Sequence, residues 1–128
     1  MQVILRVLVV DDNHVVRGLI CKILRSQGDI QIVCQASDGE EAVRQVRDHR
    51  PDVVLLDITM PVMNGFDAAR CIKHEFPSTL ILMVSQSDTA ACAKAAIAAG
   101  ASGYVEKSNA STELIPALRK IVSEHIRE

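Results

Sequence analysis

The chain has 128 residues, 48% of them apolar, yet its aromatic side chains are only Phe66, Phe76 and Tyr104. That length suits one domain able to bury a core without staples, and the apolar share excludes a disordered chain. A net charge of −2 and so few rings leave neither a basic field for DNA or anionic membrane nor a stacking platform for single-stranded nucleic acid.

Arg6–Val10 reads as a compact apolar strand. Asn13 then serves as an N-cap for a helix with Val16, Leu19, Ile20, Ile23 and Leu24 on one face and Gly28 just beyond its end. Ile30–Ala36 is a second strand. Ser37 and Glu40 have capping-box spacing and open a helix running to about Asp48, with Pro51 as the break. Val53–Leu56 is a buried strand ending on Asp57. Met60–Gly65 is a turn, its Asn64-Gly65 pair tolerating positive φ.

A helix over Phe66–Glu75 stops at Pro77, and Leu80–Val84 is the fourth strand. Asp88–Ala99 is an Ala-rich helix closed by Gly100, and Ser102–Glu106 is the fifth strand. Ser111 or Thr112 caps a last helix with Leu114, Leu118, Ile121 and Val122 on one face. Pro116 is expected to disturb its first turn or move its start later.

Five strands alternate strictly with five helices. Near-continuous apolar strands between helices indicate an α/β domain with a parallel sheet covered on both faces, and right-handed crossovers make it doubly wound. The expected order is the flavodoxin-like 2-1-3-4-5. The whole chain, 1–128, reads as one domain with no second, output domain. Its apolar runs are far short of a membrane span, and no secretion signal opens it. Cys21, Cys34, Cys71 and Cys92 lack metal or disulfide spacing, as do His14, His49, His74 and His125, so a reduced, cytoplasmic setting is expected.

In such sheets ligands bind beyond the carboxyl ends of the strands. Strand one ends at Asp11 and Asp12, strand three at Asp57, strand four at Ser85 and strand five at Lys107. Crowded carboxylates repel one another unless neutralised. Their formal charge of −3 is balanced by Lys107 and one divalent cation, and an all-oxygen donor set favours Mg²⁺ over zinc. A carboxylate beside Mg²⁺, a lysine and a hydroxyl is suited to accepting a phosphoryl group. Taken singly, each residue has a plainer reading: a strand-end Asp as a helix cap, Ser85 as a turn residue, Lys107 as a solvated side chain. Their convergence on one sheet edge favours the chemical reading.

Val7–Asp12 (VLVVDD), Ala36–Ala42 (ASDGEEA), Pro51–Asp57 (PDVVLLD), Met60–Gly65 (MPVMNG), Ser85 and Gly100–Lys107 (GASGYVEK) form an ordered set. With it the chain closely resembles the receiver domain of bacterial two-component response regulators along nearly its whole length. The resemblance implies that Asp57 is the phosphoacceptor, charged from a sensor histidine kinase or a phosphotransfer protein. It implies Mg²⁺ ligands from Asp11, Asp12, Asp57 and the backbone carbonyl of Thr59, with Ser85 and Lys107 on the phosphoryl oxygens. Ser85 and Tyr104 would form the switch, acting on the surface of the fourth helix, fifth strand and fifth helix, where a homodimer could also form. The stretch Gly103–Ser108 resembles the branch that usually carries a LuxR-type helix-turn-helix, hence transcription regulation by the parent protein. The chain itself is expected to be a switch without turnover activity, binding neither DNA nor membrane.

Some positions depart from the family pattern. Gln86 replaces a smaller residue and could narrow access to the site. Ser108 replaces a proline often preceded by a cis peptide, so a trans bond and a different local loop are expected. Thr59 and Ser87 carry no acid or amide to orient water, which implies slow self-dephosphorylation. The Ala-rich helix reads either as good helix-forming sequence or as an exposed apolar patch, and His14 as an exposed first-turn residue. Rival readings are a constitutive binding scaffold, a flavodoxin-type cofactor protein and a phosphatase. Intact acids argue against the first, repulsion of a metal-free phosphate against the second, and the lack of a legible substrate pocket against the third.

Overall fold

The computed structural model describes residues 4–86 and 89–125. The elements are β1 (Leu5–Val10), α1 (His14–Arg25), β2 (Ile30–Ala36), α2 (Gly39–His49), β3 (Val53–Leu56), α3 (Gly65–Glu75), β4 (Leu80–Ser85), α4 (Ala90–Ala98), β5 (Gly103–Glu106) and α5 (Ala110–His125). A single 3₁₀ turn, Lys107–Asn109, joins β5 to α5. The five strands form one sheet in the order β2-β1-β3-β4-β5, and each neighbouring pair is parallel. The expected fold class and strand order both hold.

Strand periodicity divides the core in two. Val7, Val9, Val53, Leu55, Leu82, Val84 and Val105 point to one face, where Ile20, Leu24, Leu114, Leu118 and Ile121 of α1 and α5 cover them. Leu8, Val10, Val54, Leu56, Ile81 and Met83 point to the other face, under Ala42, Val46, Ala68, Ile72, Ala96 and Ala99. Every residue of β3 and β4 is buried. Ala68 and Ala69 of α3 and Ala96 of α4 are buried in the second of these two clusters, so alanines supply much of the cover on that face. No described helix is long and apolar enough to cross a membrane.

Helix ends differ from the sequence pattern in three places. Asp38, not Ser37, caps α2: its carboxylate accepts the Glu41 N–H at 2.8 Å, while the Glu41 carboxylate accepts from the Ser37 N–H at 2.8 Å. Asp38 thus makes the cap half of a capping box, while the Glu41 carboxylate reaches back to the residue before the cap instead of to the cap's own N–H. Thr89 caps α4 through the Cys92 N–H, and Asp88 lies outside the described residues. Helix α5 begins at Ala110, so Ser111 and Thr112 lie inside it, and Pro116 sits within the helix without ending it. Packing of Leu114, Leu118 and Ile121 against the sheet outweighs the lost hydrogen bond at Pro116. No described peptide bond is cis, so the Lys107–Ser108 bond is trans as expected.

Helix α4 buries only Ala96, leaving Ala90, Ala91, Ile97 and Ala98 exposed. Both sequence readings therefore apply to it: its composition forms helix readily, and its outer surface is apolar.

Candidate functional site

Backbone pairing carries the strand register past the strand ends and fixes the acids. The Asp11 N–H donates to the Ala36 carbonyl at 3.1 Å, and the Asp57 N–H donates to the Val10 carbonyl at 3.1 Å. Asp11 and Asp57 are thereby held as continuations of β1 and β3 and are 1% and 4% exposed. Asp12 is exposed at the start of the β1–α1 connection. One carboxylate oxygen from each of Asp11, Asp12 and Asp57 can be chosen so that all lie within 4.8 Å of one another.

The Lys107 ammonium, from the end of β5, reaches across the sheet edge. It lies 2.8 Å from Asp11 Oδ2 and 3.2 Å from Asp57 Oδ1. Asp11 Oδ1 accepts the Asn13 N–H at 2.9 Å, and Ser85 is buried at the end of β4. A cavity of about 220 Å³ opens over this edge, lined by Asp12, Asn13, Val16, Asp57, Thr59, Gln86 and Lys107.

Burial pushes the Asp57 carboxyl above its ordinary value, and the neighbouring Asp11 charge pushes it further. The Lys107 charge and a hydrogen bond from the Thr59 backbone N–H pull it back without cancelling the rise. Burial alone would lower the Lys107 ammonium, but its pairing with Asp11 and Asp57 holds it above its ordinary value. Three acids against one lysine leave an uncompensated charge of −2 at full ionisation. All-oxygen donors, two of them buried, with room beside them, fit a hard divalent cation such as Mg²⁺ rather than zinc.

The structure places most of the residues singled out in the sequence. Asp11, Asp12, Asp57 and Lys107 meet directly; Thr59 lines the cavity, and Ser85 ends the adjacent strand. Tyr104 lies one strand over, half-buried against the core on the α2–α4 side. Its hydroxyl is buried without a hydrogen-bond partner among the described residues. His14 is exposed, and Ser87 lies outside the described residues. Arg17 was not legible as a site residue. Its guanidinium donates to the Asp11 carbonyl at 2.7 Å and to Gln35 at 3.0 Å, clamping the strand end that carries the acids. The available signal was a basic residue one helical turn after the Asn13 cap.

Residues 7–119 match the model of the response regulator receiver domain. The chain belongs to that family. It is a receiver domain of the two-component response regulators. It is 36% identical to the oxygen regulatory protein NreC of Staphylococcus epidermidis over 118 residues, covering 91% of this chain and 54% of NreC. It is 48% identical over 83 residues to a protein-glutamate methylesterase/protein-glutamine glutaminase of Haloarcula marismortui, covering 65% of this chain and 22% of that protein. The receiver thus spans about half of one curated relative and about a fifth of the other. A LuxR-family two-component response regulator from Aurantimonas superposes with a TM-score of 0.91 at 34% identity, over 95% of this chain and 87% of that one. The Aurantimonas likeness places the receiver near the LuxR-type regulators.

Proposed function

We propose that the domain is a phosphorylation-controlled switch in which Asp57 accepts a phosphoryl group from a phosphohistidine on a sensor kinase or a phosphotransfer protein. One observation carries the reading: buried Asp57 lies beside Asp11, Asp12 and Lys107 at the edge where this fold binds ligands. The Asp57 carboxylate attacks phosphorus, an O–P bond forms, and the bond to the donor nitrogen breaks with its electron pair leaving on the imidazole. Lys107, already paired with Asp57, shifts onto the phosphoryl oxygens, and the Ser85 hydroxyl donates to one of them. Asp11, Asp12, Asp57 and the Thr59 carbonyl would hold Mg²⁺, which when bound supplies positive charge against the acids and the phosphoryl oxygens.

The phosphoryl group adds roughly −1.5 to −2 charge. Recruitment of Ser85 toward it opens space beside Tyr104, whose hydroxyl has no hydrogen-bond partner among the described residues. The α4–β5–α5 surface is then biased toward a second packing, to the extent that phosphate favours one state over the other. The apolar outer face of α4 supports a homodimer or partner contact there. The likeness to a LuxR-family regulator favours a DNA-binding output in the parent protein, with this domain acting as the switch and not as a turnover enzyme.

The test is Mg²⁺ with beryllofluoride, a phosphoryl mimic, followed by amide NMR and gel filtration. Shifts spreading from Asp57 to Tyr104 and α4 are expected. Wild-type shifts identical to those of Asp57→Ala would sink the reading.

A further inference from the structure

The segment after Asp57 is held in an unusual path. The Met63 N–H donates to the Pro61 carbonyl at 2.7 Å, closing a three-residue turn on Val62, whose φ is 69°. Such a turn is rare, and a β-branched residue at positive φ is strained. The Gly65 N–H donates to the Ile58 carbonyl at 2.7 Å, closing the far end of the same loop on itself. A third tie comes from elsewhere in the fold: the Gly39 N–H, at the start of α2, donates to the Met63 carbonyl at 3.1 Å.

Gly39 is buried, and a Cβ there would drive into the Met63 carbonyl oxygen and its carbon. That carbon and oxygen are backbone, so the clash is relieved only by moving the loop against the start of α2. The loop also reaches the site directly, because Thr59 lines the cavity beside Asp57 and Gly65 packs closely on the Asp57 backbone carbonyl. Movement at Met63 is therefore transmitted within a short, internally tied loop to the groups around Asp57.

We propose that Gly39 is a positioning residue for the Asp57 site: its backbone contact with Met63, possible only without a side chain, lets α2 fix the loop that presents Thr59. The proposal rests on the reading of that site as one for a divalent cation and a phosphoryl group. Gly18 provides the control, since a Cβ there meets nothing within 4 Å.

Mg²⁺ affinity is measured by calorimetry and amide NMR on wild type, Gly39→Ala and Gly18→Ala, each shown to be folded by circular dichroism. Wild-type binding separates the two claims: without it the reading of the site itself fails. Given that binding, Gly39→Ala is expected to weaken Mg²⁺ affinity about tenfold or more, the usual scale for losing an outer support of a metal site. Gly18→Ala should match wild type. Labelling of Gly39→Ala by acetyl phosphate should fall at low Mg²⁺ and recover at saturating Mg²⁺. Unchanged affinity in a folded Gly39→Ala overturns the proposal. Should that variant not fold, the wild type decides the matter. Coupling is reciprocal, so saturating Mg²⁺ must slow hydrogen exchange at the Gly39 amide. Exchange that does not respond overturns the proposal.

Discussion

Lys107 and Asp57 form a buried ion pair, 3.2 Å apart, in which the lysine also serves Asp11 at 2.8 Å. One cation thus shields two carboxylates that are almost without solvent. Its side chain is only 15% exposed, so solvent screens the pair weakly. Lys107→Ala should therefore cost about 3 kcal/mol in EDTA, the lower end for leaving buried charges unpaired. Excess Mg²⁺ should restore part of that loss. Urea melts with and without Mg²⁺ measure both effects.

The raised Asp57 carboxyl makes stability depend on pH in a definite direction. Between its unfolded value of 3.8 and its higher folded value, the folded state binds more protons than the unfolded state. The stability contributed by this group is therefore full below 3.8 and is lost as pH rises through the folded value. Asp57→Asn removes both the titration and the repulsion from Asp11. In Mg²⁺-free buffer the variant should be the more stable at neutral pH, by ~1 kcal/mol, a common scale for relieving a functional site. The gap between variant and wild type should close as pH falls toward 3.8. Paired urea midpoints across that range check the sign.

Tyr104 combines a ring packed on the core with a buried hydroxyl that has no hydrogen-bond partner among the described residues. Removing an unpaired buried hydroxyl costs no hydrogen bond and spares its desolvation. Tyr104→Phe should leave stability unchanged or raise it by up to about 1 kcal/mol. Thermal melting checks this, and a clear loss would mean that the hydroxyl has a partner.

Pro116 lies in the interior of α5 and is exposed. It cannot donate to the carbonyl one turn earlier, and Pro is about 3 kcal/mol worse than Ala inside a helix. Pro116→Ala should raise stability by about 1–3 kcal/mol without altering labelling at Asp57. Melting temperature and labelling rate, measured together, separate these outcomes.

What could be read in advance follows from physics that is local in sequence. Val53–Leu56 announces a buried strand because four apolar residues stand between Pro51 and Asp57, and the end of that strand is where the acid must lie. The same logic places Asp11, Ser85 and Lys107, since each ends a strand of the same parallel sheet. Asp38 displaced Ser37 as the α2 cap because either side chain can serve and only the backbone path decides. Pro116 does not end α5 because packing of the helix on the sheet overrides local helix propensity. The Gly39–Met63 and Arg17–Asp11 contacts were invisible for a different reason. Each joins a backbone carbonyl to a donor on another element, and carbonyls leave no residue-specific mark in a sequence.

The central claim, that Asp57 accepts the phosphoryl group, is tested most directly by mass spectrometry after incubation with acetyl phosphate and Mg²⁺. One phosphoryl group per chain is predicted, mapped to the peptide containing Asp57, absent in EDTA and absent in Asp57→Ala. Stoichiometric labelling of Asp57→Ala would contradict the claim.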